Sequence, residues 1–130
     1  VILVDSSVWI DYFNGTMTPE TDKLDRLLTS EVILAGELML AEVLQGFRTE
    51  DDFYEARKLL DAFEVRTLGG KAVALAAATH YRTLRSKGIT VRKTVDMLIR
   101  AYCILHTIPL LQADRDFDAM EVHLGLQVVR

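Results

Sequence analysis

The chain has 130 residues, half of them hydrophobic, and a formal net charge of −4. That is enough for one domain with a real core and too few for two ordinary ones, and the composition excludes a disordered chain. The longest fully apolar run, Ala72 to Ala78, is far too short to cross a bilayer, and no charged-then-apolar leader opens the sequence, so a cytoplasmic protein away from membranes is expected.

Val1-Ile2-Leu3-Val4 reads as a strand buried on both faces, ending at Asp5. Asp5-Ser6-Ser7 offers capping oxygens to a short aromatic-rich helix that Asn14-Gly15 stops. Thr18-Pro19-Glu20 opens a second helix with Pro at its first position. Val32 to Ala35 is the next strand, broken by Gly36, and residues 37–47 follow as a helix with Leu40, Val43, Leu44 and Phe47 on one face. Glu42 lies off that stripe, on the Leu38, Met39 and Gln45 side. A helix over 51–62, a short edge strand over 63–68 and a turn at Gly69-Gly70 come next. Lys71 to Lys87 is an Ala-rich helix ended by Gly88, and Thr94 caps another over 95–107. Residues 110–113 form a strand, Asp114 to Asp118 a turn into a brief helix, and Leu126 to Val129 a closing strand. This alternation predicts a single α/β domain over 1–130 with a parallel sheet, whose ligands bind beyond the carboxyl ends of the strands.

Four acids sit where apolar packing makes them costly. Asp5 and Asp114 end apolar runs, and Glu42 and Asp96 interrupt apolar helices. Singly, each has an ordinary role. Asp5 and Asp114 suit helix caps, Glu42 the edge of an amphipathic face reaching water, and Asp96 a dipole-favoured first turn paired with Arg100. Together they suit a divalent-metal site. Two like charges about 4 Å apart repel by roughly 4 kcal/mol at an effective dielectric near 20, and a cation removes that cost. All-oxygen ligation selects Mg²⁺ or Mn²⁺. Zinc is not expected, with one cysteine and three histidines lacking ligand spacing. The lone Cys103 reads as packing.

The net charge conceals an asymmetry. Residues 1–65 hold 5 Lys/Arg and 14 Asp/Glu, whereas residues 66–100 hold 8 Lys/Arg and one acid, Asp96. Arg82, Arg85, Lys87, Arg92, Lys93 and Arg100 therefore surround one candidate ligand in sequence, which suits a phosphate-rich substrate. Arg82, Arg85, Arg92 and Lys93, with Arg48 as an addition, are the candidate substrate-binding residues.

The segments ILVDSSVWIDYF, LMLAEVLQGF, TVDMLIRAYCI and LLQADRDFDAM resemble, in order and over the whole chain, the PIN-domain ribonucleases, and most of all the VapC-type toxins of bacterial toxin–antitoxin pairs. The resemblance implies a three-layer α/β/α sandwich around a short, mostly parallel sheet. It implies that Asp5, Glu42, Asp96 and Asp114 are the catalytic acids and, with Asp116, bind Mg²⁺ or Mn²⁺ to cut RNA, a tRNA-like target being suggested by analogy. It further implies a homodimer and a cognate antitoxin whose C-terminal segment covers the toxin. One departure is Gln112, where relatives often carry Thr or Ser, a role that Ser6 or Ser7 could fill.

Three other readings compete. A metal-dependent phosphatase would want a second Asp two residues after the first, where Ser7 stands. A phosphate-accepting signalling domain would want paired acids after the first strand. A non-catalytic RNA- or protein-binding domain would have no need to keep these acids. The aromatic residues Trp9, Tyr12, Phe13, Phe47, Phe53 and Tyr54 suggest core packing or an apolar groove for an antitoxin helix.

Overall fold

The computed structural model describes residues 1–91 and 93–130. Four strands, β1 (Ile2–Val4), β2 (Ile33–Gly36), β3 (Glu64–Arg66) and β4 (Leu110–Leu111), form a sheet in the order β3-β2-β1-β4. Every pairing is parallel, with Leu3 opposite Leu34 on one side and Leu110 on the other. Successive strand residues face opposite sides of a sheet. All residues of β1, β2 and β4 are nonetheless buried, so helices cover both faces.

Helices α1 (Ser6–Phe13), α2 (Pro19–Leu27), α3 (Glu37–Leu44) and α4 (Glu50–Leu60) form one packed group, α1 against α2 and α3, and α3 against α4. Helices α5 (Lys71–Ser86), α6 (Thr94–His106) and α7 (Asp118–Leu124) form the other, with α5 against α6 and α7. This is the expected three-layer α/β/α arrangement. A 3₁₀ turn, Arg115–Phe117, joins β4 to α7.

Local chemistry accounts for the element ends. Thr18 and Thr21 exchange hydrogen bonds as a capping box at the start of α2, with Pro19 behind the cap. Gly88, with φ of 79°, follows α5 in the left-handed region that glycine enters without strain. Gly36 matters for a different reason. A Cβ there would lie 2.1 Å from Cδ1 of the fully buried Leu68, so any side chain at this position has to displace Leu68 from the core.

Three expectations need correction. Helix α3 ends at Leu44, three residues early, because Gly46 and Phe47 bond back three residues rather than four, to Val43 and Leu44. Its buried residues are Met39 and Val43, so Met39 belongs to the core. Residues 126–129 make only a single parallel bridge, Val128 to Leu110, since β4 is two residues long and offers no further ladder.

Candidate acidic active site

The sheet order places the site. From β1 the chain moves outward to β2 and then β3, and it returns to the opposite edge of β1 as β4. The direction of winding reverses between β1 and β4, and their carboxyl ends therefore flank the crevice where α/β sheets bind ligands. Asp5 leaves β1 there, its backbone N–H donating to Leu111 O at 2.9 Å. Asp114 follows β4 three residues on, and α6, which runs back toward β4, starts at the same edge with Asp96 in its first turn.

Asp5 occupies the cap position of α1 but makes no capping hydrogen bond. Its residue is 3% exposed, and its Oδ2 accepts from Arg100 Nη2 at 2.9 Å and from Ser7 Oγ at 3.4 Å. Its Oδ1 is buried and has no hydrogen-bond partner among the described residues. A carboxylate oxygen in that state is costly unless a cation meets it. Glu42, half-buried on α3, accepts from Ser6 Oγ at 2.7 Å. Ser6 and Ser7 thus act as donors to the acids.

Asp96 feels its neighbours. Burial, and next the charge of Asp5, hold its carboxyl above the usual range; Arg100 offsets part of this, Glu42 adds to it and Lys93 subtracts. These charges place Asp5, Glu42 and Asp96 within electrostatic reach of one another. Asp96, Asp114 and Asp116 line a cleft of about 230 Å³ together with Thr90, Val91, Lys93 and Phe117. Asp114 and Asp116 are exposed, and Asp114 Oδ1 caps the 3₁₀ turn by accepting from Asp116 N–H at 2.9 Å. The capping role that Asp5 does not play is real at Asp114.

Among the described residues, no group of three or more His, Cys, Asp or Glu is already arranged to hold an ion. The donor set still fits a hard divalent metal. It is all oxygen, and it contains one buried, unpartnered carboxylate oxygen on Asp5.

The basic residues divide. Lys93 is exposed in the acid cleft. Arg82 and Arg85, both exposed on α5, line a neighbouring cavity of about 800 Å³ that shares the Thr90–Val91 wall. Arg92 lies outside the described residues. Arg100 is not on the basic surface at all: it is fully buried. A signal for this is in the sequence, since Arg100 stands three residues after Met97 and three before Cys103, on the inward face of α6. Gln112 is buried and accepts from Arg100 Nε at 3.0 Å, so it serves the arginine rather than standing in for a hydroxyl.

Residues 2–122 match the sequence profile of the PIN domain. The chain belongs to the PIN-domain family. Within that family it belongs with the VapC ribonucleases, being 31% identical over 129 residues to VapC ribonucleases of Mycobacterium bovis and Mycobacterium tuberculosis, across 98% of this chain and 96% of theirs. The fold of this PIN domain is that of solved toxin–antitoxin proteins. DNA-bound VapBC from Salmonella typhimurium superposes with a TM-score of 0.78 at 16% identity, across 98% of this chain and 96% of that one. VapBC2 from Rickettsia felis, bound to a promoter DNA fragment, gives 0.76 at 17% with the same coverage. Among the described residues, no helix is long and apolar enough to cross a membrane.

Proposed function

We propose that this PIN domain is a Mg²⁺- or Mn²⁺-dependent endoribonuclease, the toxin of a toxin–antitoxin pair, with a structured, tRNA-like RNA as substrate. The observation that carries the proposal is the buried, unpartnered Oδ1 of Asp5 at the switch point of the sheet, within the field of Glu42 and Asp96. Asp5 and Asp96 would hold the ion directly. Glu42, Asp114 and Asp116 complete the set directly or through water. When bound, the metal acidifies a water and offsets charge on the phosphate. Glu42, held by Ser6, or the exposed Asp114 orients that water. Lys93 in the cleft and Arg82 and Arg85 beside it hold the RNA backbone, which gives affinity without base choice. Exposed loop bases then set the target.

A partner protein fits the opposite group of helices. Trp9 is buried in an aromatic stack with Phe13 and Phe63, at 5.8 and 5.7 Å between centroids. Phe13 and Phe47 are only half-buried and line a cleft with Asp52, Glu55 and Leu59. An antitoxin helix with an apolar face and basic edges would complement that groove. The M. tuberculosis and M. bovis relatives are named ribonucleases, and the solved neighbours are complexes of the toxin–antitoxin type. Both support the reading. Metal-dependent cleavage of RNA, lost in Asp96→Asn, tests the catalytic half. Co-purification with the product of a neighbouring reading frame tests the other.

A further inference from the structure

Arg100 is held more tightly than a charge partner for Asp96 needs to be. Its Nη2 donates to Asp5 Oδ2 at 2.9 Å, its Nε to Gln112 Oε1 at 3.0 Å and its Nη1 to the backbone carbonyl of Asp96 at 3.2 Å. Nη1 also stands 3.9 Å from Asp96 Oδ1. The guanidinium lies on the ring of Phe117, with Cζ 3.5 Å from the centroid. Three bonds from three different nitrogens and one stacked face leave the group a single position.

That position divides Asp5 in two. Arg100 engages Oδ2, and Oδ1 is left buried and unpartnered. Sites with two metals place ions about 3.5–4 Å apart between shared oxygens. The Arg100 guanidinium reaches both Asp5 Oδ2 and Asp96 Oδ1, oxygens for which a second ion would have to compete. We infer that Arg100 is a built-in cation of this site: it fixes Asp5 so that Oδ1 alone is offered to metal, and it limits the site to one divalent ion. Gln112 and Phe117 hold the arginine in that role. The inference rests on the metal-dependent reading above. Lysine could not replace it, since a compact ammonium cannot bond Asp5 and Gln112 as a rigid fork.

The test is titration of the metal-stripped full chain with Mn²⁺, read by electron paramagnetic resonance and by thermal unfolding with and without the ion. The wild type binds one Mn²⁺ per chain, with the spectrum of an isolated ion. The double variant Arg100→Met with Gln112→Leu frees Asp5 Oδ2 while keeping the space filled. It binds two Mn²⁺ with a spin-coupled spectrum, melts lower in EDTA, and gains more in Tm from Mn²⁺ than the wild type does. Arg100→Lys keeps the charge and loses the fork. It stays at one ion and binds it at least about tenfold more weakly, the loss typical of a supporting residue behind a metal ligand. A spin-coupled pair in the wild type overturns the role of Arg100 and leaves the nuclease reading standing. So does a double variant that binds one ion with the wild-type Kd, or, should that variant not fold, Arg100→Lys with the wild-type Kd. No Mn²⁺ bound by the wild type removes the metal reading itself, and this inference with it.

Discussion

At Asp5 and Asp96 the same change, acid to amide, has opposite consequences for stability. Asp5→Asn leaves the fully buried Arg100 without its charged partner, and breaking such a pair costs about 3–5 kcal/mol. Asp96 is the reverse case. Its carboxyl is held high by burial and by Asp5 and Glu42, so folding works against its charged form. The stability this confers is full below the unfolded carboxyl value near pH 4 and is lost as pH rises through the folded pKa. In EDTA at neutral pH, Asp96→Asn therefore melts above the wild type and Asp5→Asn below it, and the Asp96 advantage shrinks on acidification. Thermal scans at several pH values read both effects. Cys103 gives a second check. Burial pushes its thiol up to about 12, so iodoacetamide at pH 8 leaves it unmodified in the native chain and alkylates it in denaturant.

Most elements are legible in the sequence, because each carries its own local signal: unbroken apolar runs for the buried strands, Thr18-Pro19 for α2, and Gly88 for the end of α5. The failures are non-local. The length of β4 decides whether residues 126–129 can form a ladder, and no residue within that segment carries the information. The four main acids are legible as candidates from their placement, and Asp116 only through the family resemblance. The organisation of the site is not, because it depends on Arg100 being inside. An arginine four residues after an aspartate reads as a surface pair. The Met97, Arg100, Cys103 spacing marks the inward face of α6, but the partners that make a buried guanidinium tolerable there, Gln112 and Phe117, come from outside that helix. Gly36 makes an element-scale prediction of the same non-local kind. A Cβ there displaces the buried Leu68, and Gly36→Ala should cost about 1–3 kcal/mol in a denaturant melt, whereas Gly46→Ala, with its nearest atom at 3.6 Å, should be close to neutral.

Over the whole molecule, charge is sorted by position rather than by amount. The chain is net acidic, yet Arg82, Arg85 and Lys93 stand exposed around adjoining cavities beside the acid cleft. A polyanion is thus met by local cations, and its approach should weaken steeply with salt. Arg82→Ala with Arg85→Ala should lower RNA affinity, flatten the salt dependence by about two phosphate contacts, and leave Mn²⁺ binding unchanged. Fluorescence anisotropy with labelled RNA at several salt concentrations, beside Mn²⁺ titration, separates these roles. Unchanged RNA affinity would move the substrate path elsewhere.

The acids gathered at the carboxyl edge of the sheet would act together as one metal-dependent ribonuclease site. The most direct measurement is incubation of total tRNA with the wild-type chain and with Asp96→Asn, each in Mg²⁺, Mn²⁺ or EDTA. Discrete cuts are expected from the wild type with metal, none in EDTA, and none from the variant under any condition. Equal cutting by Asp96→Asn, or cutting that persists in EDTA, would contradict this.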